Sequence, residues 1–314
     1  MGKTESVGQI ESLKSRIGSE EIVRAVRVQS TVRGAIESYL RKEGYVEISP
    51  VILSTLTDPL NHPVYDPSIT AYNQKLALTK SMIFHKQIAV QAIPGIFIMS
   101  PNIRLETEDK ASTGRHLYEF TQADVEARGK SMDDMMDLAE RMIVFTIEEV
   151  RKNNASDLEF FSRRIAVPGR PFRRIRYRDA YERYGSDFER RISEESKEPV
   201  WITGIPLEGR EFYDLEDPDD PGYLRDMDLL WPEGYQEAIS GGEREFKYER
   251  ILQRIKIKKQ EPESFRTILE MSMSGLEPSC GFGIGIERFT RYLCGLKHCA
   301  DTNLFPRIPG QPGI

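Results

Sequence analysis

The stretch Gly281-Phe282-Gly283-Ile284-Gly285-Ile286-Glu287-Arg288 alternates small and apolar residues and then ends in an acid and an arginine. Such alternation predicts a strand. Glycine at every second position strips side chains from one face, so a flat ligand can lie directly on the backbone, with Arg288 opening the next element at the ligand's edge. A glycine-rich strand packed under a helix would show the same three glycines. A dinucleotide fingerprint is excluded, because it needs Gly-x-Gly-x-x-Gly turning into a helix and the spacing here never opens to two.

A second stretch carries arginines and acids in an ordered arrangement. Phe97-Ile98-Met99 predicts a strand, followed by Arg104-Leu105-Glu106, a polar loop through Lys110, and then Arg115-His116-Leu117-Tyr118-Glu119-Phe120-Thr121-Gln122-Ala123-Asp124-Val125-Glu126. Gln122 and Asp124 fall on alternate positions of one strand and share a face. Taken singly, Phe120 is explained as core and Arg115-His116 as a solvated turn. Taken together, the two stretches resemble motifs 2 and 3 of class II aminoacyl-tRNA synthetases, in the aspartyl and asparaginyl branch.

That resemblance implies roles. Motif 2 is a pair of antiparallel strands whose connecting loop closes on ATP, and attack on the α-phosphate builds negative charge that an arginine fork stabilises bidentately. Arg104 and Arg288 are the implied catalytic pair. Glu106 contacts the adenine side, Arg115 and His116 hold the terminal phosphates, Phe120 stacks on adenine, and Leu117 and Gly285 complete the nucleotide site. Gln122 and Asp124 match positions near the substrate's α-ammonium.

Two further segments fit the same family. Thr79-Lys80-Ser81-Met82-Ile83-Phe84-His85-Lys86-Gln87 is similar to an aspartyl segment in which lysine followed by glutamine contacts the substrate's side-chain carboxylate. Asparaginyl enzymes lack that lysine, so Lys86, with Ser81 beside it, implies an acidic amino acid. Without the other motifs, Lys86 would be a solvated lysine on a helix face. The segment departs from the aspartyl pattern at Lys80, Met82 and Ile83. Later, Gln236-Glu237-Ala238-Ile239-Ser240-Gly241-Gly242-Glu243-Arg244 resembles the segment where a glutamate and a serine bind magnesium and an arginine meets the substrate carboxylate, which implies Glu237, Ser240 and Arg244 in those places. Magnesium suits such a site because it takes most of its ligands from phosphate and water.

The elements that position these residues are partly legible. Ser19 is an N-cap followed by Glu20 and Glu21, with an apolar stripe through Ile22, Val32, Ile36 and Leu40 and Gly44 at the end, which predicts a long helix. A strand over Tyr45–Ile48 stopped by Pro50 follows, and the helix-strand-proline order resembles motif 1, the dimer-forming element of the family. Residues 57–75, with His62-Pro63, Asp66-Pro67 and Tyr72-Asn73-Gln74, are rich in loop signals, and the resemblance implies a mobile loop here that closes over the amino acid. Ser131 and Asp134 predict a capping box for a helix reaching about Lys152. Arg173 to Arg178 alternates, which predicts a half-buried strand with Ile175 and Tyr177 on one side and a wet arginine face rather than a nucleic-acid surface. Val200–Thr203, Glu211–Tyr213 and Met227–Leu230 predict further strands.

The 314 residues, 39% hydrophobic and 30% charged, are ordinary for a globular chain, and the formal net charge of −6 weighs against a protein whose main business is gripping nucleic acid. No apolar run approaches the ~20 residues that span a bilayer, so a cytoplasmic protein is expected. Cys280, Cys294 and Cys299 do not suggest a disulfide framework or a metal site.

The expected architecture is an α/β fold of the α+β kind: a mostly antiparallel sheet flanked by helices, with residues 1–18 as a polar leader and 19–314 as one catalytic domain. The family's N-terminal oligonucleotide-binding barrel has no counterpart in the leader, which favours an enzyme without tRNA. The expected function is therefore ammonia-dependent asparagine synthesis in a homodimer. ATP and Mg2+ activate the β-carboxylate of aspartate as an acyl adenylate, pyrophosphate leaves, and ammonia displaces AMP. Asp124 and Asp228 are candidate acceptors for the ammonium proton, and Lys86 and Arg244 would hold the α-carboxylate of a reversed aspartate. The alternatives are an aspartyl- or asparaginyl-tRNA synthetase-like enzyme with truncated tRNA recognition, and a regulatory paralogue without chemistry.

Overall fold

The computed structural model describes residues 2–311. Its helices are α1 (Gly2–Ile17), α2 (Glu20–Lys42), α3 (Ile83–Ala89), α4 (Met132–Asn153), α5 (Ala155–Phe160), α6 (Tyr177–Tyr184), α7 (Phe188–Glu195), α8 (Tyr248–Ile257), α9 (Arg266–Met273) and α10 (Ile286–Cys294). Its strands are β1 (Val46–Glu47), β2 (Leu53–Ser54), β3 (Ser68–Ala71), β4 (Gln74–Leu78), β5 (Gly95–Ile103), β6 (Glu119–Arg128), β7 (Arg173–Arg176), β8 (Val200–Thr203), β9 (Asp226–Trp231), β10 (Gln236–Glu243) and β11 (Ser279–Gly285). Eight strands form one sheet in the order β1-β5-β6-β11-β10-β9-β8-β7, antiparallel except at its two edges.

Caps and periodicity explain the two long helices. Ser19 accepts from the Ile22 N–H, and the buried stripe of α2 runs from Ile22 through Val28, Val32 and Ile36 to Leu40. Gly44, at φ +86°, takes the left-handed turn that ends it. Ser131 and Asp134 form a reciprocal capping box at the start of α4. Both helices, with α10, cover one face of the sheet, where Phe97, Val125, Phe282, Ile239 and Leu229 form the main core. Apolar burial of this extent is the dominant favourable term in folding.

The opposite face carries the polar residues, and strand register decides which ones meet. Glu126, Gly281, Gly242 and Asp226 stand in one cross-strand row, and Asp124, Gly283, Ser240 and Asp228 in the next. Gln122 pairs with Gly285 at the end of the site. Two smaller clusters bound this face. Phe84, Phe212 and Phe265 pack with α8 and α9 on one side, while Ala180, Phe188 and Ile192 cover β8 and β9 on the other.

Several expectations need correction. The glycines of β11 do not leave an open floor throughout, because a Cβ on Gly281 would meet Glu126 Oε2 at 2.0 Å and one on Gly283 would meet Asp124 Oδ1 and Gln122 Nε2 at 2.8 Å. Neighbouring side chains lean over these two positions, and only at Gly285 is the nearest atom, Arg288 Cβ, at an ordinary 3.6 Å. Residues 211–213 are not a strand, since Phe212 is drawn into the aromatic cluster with Phe84 at 5.6 Å. The arginine-rich strand ends at Arg176, and Tyr177 opens α6. Its arginines face acids, Arg174 bonding Asp133 at 2.5 Å and Arg176 bonding Asp220 at 2.5 Å. Residues 57–75 include a hairpin whose two-residue turn, Tyr72-Asn73, has positive φ at both positions, the geometry that matches strand twist. The leader is helical as α1.

Gly281→Ala should lower stability by about 1–3 kcal/mol through overpacking against Glu126 and Val125. A urea midpoint indistinguishable from wild type would show that the carboxylate does not need the glycine's space.

Candidate functional site

The polar face of the sheet opens into two connected chambers. The first is lined by Arg104, Glu106, Arg115, His116, Leu117, Phe120, Gly285 and Arg288, with His62, Lys110, Gln122 and Glu237 among the other walls. The second is lined by Ser81, Lys86, Gln122, Asp124, Ser240, Gly283 and Arg244, with Arg210, Asp214 and Tyr213. His62, Arg104, Gln122 and Glu237 belong to both, so the two spaces form one cleft. Arg104 and Arg288 therefore share a cavity although 184 positions separate them in the chain.

Side-chain geometry in the first chamber suits a polyanion with a flat ring. Arg104 is anchored by its Nε, which donates to the Lys80 carbonyl at 3.0 Å, and its guanidinium lies 5.3 Å from the Phe120 ring centroid. Among the described residues, its two terminal nitrogens have no protein partner. Arg288 Nη1 sits 2.9 Å from Glu237 Oε1, and Arg115 Nη1 donates to Gln236 Oε1 at 2.9 Å. Burial would raise the Glu237 carboxyl, but Arg288, followed by Arg115, holds it down at about 2. His116 is pushed down to about 4 by burial, then by Arg288 and Arg115, so its imidazole is neutral at ordinary pH. Glu106 pairs with His62 Nε2 at 3.1 Å, and this contact offsets burial and holds the carboxyl below its usual range.

The second chamber is walled by cations that already have carboxylate partners. Lys86, buried on α3, donates to Asp124 Oδ1 at 2.9 Å, so it is not the solvated lysine that the segment alone would allow. Arg244 donates through Nε and Nη2 to the two oxygens of Glu126 at 3.1 Å, and through Nη1 to Asp214 at 2.9 Å. Asp124 Oδ2 is buried without a partner among the described residues. A segment crosses the mouth of this chamber. Asp58 accepts from the Tyr213 hydroxyl at 3.1 Å, Asn61 donates to the Gly209 carbonyl at 3.1 Å, and His62 reaches Glu106.

One expected site residue is not where the sequence placed it. Asp228 does not reach the chamber wall, because Arg210 stands in front of it, donating through Nη2 to Asp228 at 2.5 Å and through Nε to Asp226 at 3.0 Å. Burial pushes Asp226 up to about 7 against the pull of Arg210, and raises Asp228 likewise. Arg210 and Asp214 are the site residues that sequence reasoning missed, and His62 was placed only in the 57–75 loop, without a role. Each lies outside any motif, in a loop that tertiary packing folds over the sheet.

Magnesium can be tested against the residues present. No group of three or more acids, histidines or cysteines is arranged as a protein cage among the described residues. Glu237, kept ionised, and Ser240 are on the cleft wall, which fits an ion that takes most ligands from phosphate and water. Glu237 and Ser240 reach the same side because a β-bulge lies between Glu237 and Ile239. Among the described residues no helix is long and apolar enough to cross a membrane, and the three cysteines are buried free thiols.

Comparison with known proteins places the same frame elsewhere. The family model for tRNA synthetases class II (D, K and N) matches residues 13–309. The asparagine–tRNA ligase of Thermococcus gammatolerans is 29% identical over 311 residues, covering 93% of this chain and 71% of its own length. That of Pyrococcus abyssi is 29% identical, covering 94% and 70%. Asparaginyl-tRNA synthetase from Pyrococcus horikoshii, solved with asparaginyl-adenylate, superposes with a TM-score of 0.88 at 28% identity over 96% of this chain and 72% of that one.

The depressed His116 value has a consequence for stability. Between the usual 6.5 and about 4 the unfolded chain binds a proton that the folded chain does not, so this stabilisation is complete above 6.5 and is lost as pH falls through 4. Wild type should lose more stability between pH 7 and pH 5 than His116→Gln. Equal losses in paired urea titrations would place the imidazole in an unperturbed setting.

Proposed function

The chain belongs to the class II tRNA synthetases of the D, K and N group, and on that premise we propose that it is a ligase activating an aspartate-type amino acid as an acyl adenylate. One observation carries this: Arg104, Arg288 and Glu237 line a cleft continuous with the chamber that holds Lys86 and Arg244. A carboxylate oxygen of the amino acid attacks the α-phosphorus of ATP, the bond to the bridging oxygen breaks, and pyrophosphate leaves. Arg104, anchored only through Nε, keeps both terminal nitrogens for the charge that builds on the α-phosphate. Arg288 and Arg115 face the departing phosphates. Magnesium beside Glu237 and Ser240 would supply charge neutralisation for them.

The acceptor that displaces AMP separates two readings. Aminoacylation of tRNA is the better supported by comparison, since the relatives are asparagine–tRNA ligases. Ammonia-dependent synthesis of asparagine from aspartate is favoured by Lys86, a buried cation on the amino-acid chamber at a position where the resemblance gives aspartyl enzymes a lysine and asparaginyl enzymes none. In that reaction ammonium loses a proton before its nitrogen attacks the acyl carbon. Both carboxylates keep one oxygen without a partner among the described residues, but Asp124 lines the chamber whereas Asp228 is held behind Arg210, so Asp124 is the acceptor we assign.

Purified protein with ATP, Mg2+, either amino acid, and ammonium or tRNA is monitored for AMP, asparagine and charged tRNA. Asparagine formed without tRNA selects the ammonia reading, charging alone selects tRNA ligation, and no AMP in any mixture refutes the adenylate chemistry itself. Arg104→Lys should reduce amino-acid-dependent pyrophosphate exchange roughly 100- to 1000-fold, because a point charge replaces a fork. An exchange rate within a few-fold of wild type would remove Arg104 from the transition state.

A further inference from the structure

Of the cations that line the amino-acid chamber and not the nucleotide one, that with most donors to spare is neither Lys86 nor Arg244. Arg244 gives three nitrogens to Glu126 and Asp214, and Nη2 also donates to the Gly281 carbonyl at 3.0 Å. Lys86 gives one of its three N–H groups to Asp124 and stands 3.9 Å from Glu126. Arg210 uses two of the five N–H groups of a guanidinium, one on Nε and one on Nη2. Its Nη1 has no partner among the described residues, and the side chain lines the chamber.

The mounting of Arg210 is rigid. Asp226, fully buried in β9, accepts from Arg210 through Oδ2 and from the Ile205 N–H through Oδ1 at 2.8 Å, so both of its oxygens are engaged. Asp228 accepts from the neighbouring Nη2. Neither carboxylate lines the chamber, whereas Arg210 does. Gly209, the residue before Arg210, accepts from Asn61, so the segment across the chamber mouth is tied to the same loop. A guanidinium locked from behind with its front edge free is prepared for a planar oxygen-bearing group, at little entropic cost on binding.

We propose that Arg210 is a specificity-determining residue of the amino-acid chamber, donating from its free edge to a carboxylate or carboxamide oxygen of the bound amino acid that is not the one activated. This rests on the amino-acid-activating reading above. The shared chemistry is a planar oxygen acceptor, and its source is the side-chain group of a forward-bound amino acid or the α-carboxylate of a reversed one.

Calorimetry of the full chain with aspartate, asparagine, alanine and ATP, on wild type, Arg210→Met and Arg210→Lys, tests it. Arg210→Met should weaken the amino acid that wild type binds best roughly 10- to 100-fold, leave ATP within about 2-fold, and Arg210→Lys should recover only part of the loss. A loss confined to aspartate identifies a side-chain carboxylate, one confined to asparagine a carboxamide, and one shared by all three amino acids the α-carboxylate. Amino-acid affinities within about 3-fold of wild type in a variant with an unchanged unfolding midpoint overturn the assignment. So does a parallel loss of ATP binding, which marks a structural role. Where Arg210→Met does not fold, Arg210→Lys carries the same comparison, and full amino-acid affinity in it with ATP unchanged overturns the assignment as well. Wild type that binds neither aspartate nor asparagine defeats the underlying reading, a failure seen without any variant.

Discussion

The site depends on a central strand that, from Gly281 to Gly285, has no side chains on one of its faces. Gly281 and Gly283 sit between β6 and β10, and the space their Cβ atoms would fill is taken by Glu126, Asp124 and Gln122. Only because those side chains can cross the strand does Glu126 reach Arg244, which comes from the end of β10. Asp124, leaning over the next glycine, holds Lys86 from α3. Removing side chains from one strand thus brings together charges supplied by three different segments.

Those charges are expensive to bury. Each of the cations Lys86, Arg210 and Arg244 is desolvated, and each is offset by one or two carboxylates at hydrogen-bond distance. Such pairs contribute little net stability, because the loss of hydration is comparable to the attraction regained. What they provide is orientation: a guanidinium held at two of its nitrogens, as Arg210 is at Nε and Nη2, presents the third in one direction. Electrostatic preorganisation of this kind acts without rearrangement when a ligand arrives.

The nucleotide side is arranged on the same logic with a different balance. Arg104 is tethered by a single bond to a backbone carbonyl, and Arg288 is paired with Glu237. The chamber therefore keeps donors free for an anion, while the neutral His116 adds hydrogen-bonding capacity without further positive charge. His62, bonded to Glu106 and lining both chambers, ties the segment that walls the second chamber to the first.

Local signals in the sequence were sufficient for what local physics controls. The capping box at Ser131 and Asp134, the N-cap at Ser19 and the alternation in β6 and β11 each depend on residues a few positions apart, and the joint order of Arg104, Phe120, Glu237 and Arg288 picked out residues that line one cleft. Parity and enclosure were decided only by tertiary structure. Glu237 and Ser240 are three residues apart and would face opposite ways on a regular strand, and the bulge before Ile239 turns them to one side. Arg210 carries no motif, and its position in front of Asp228 exists only because the loop after β8 folds back onto β9. A residue whose role is set by partners sixteen and eighteen positions away on another element leaves no pattern in its own neighbourhood. Strand spacing and periodicity act over a few residues, whereas the pairing of buried charges is settled by whichever segments the packed core brings within reach.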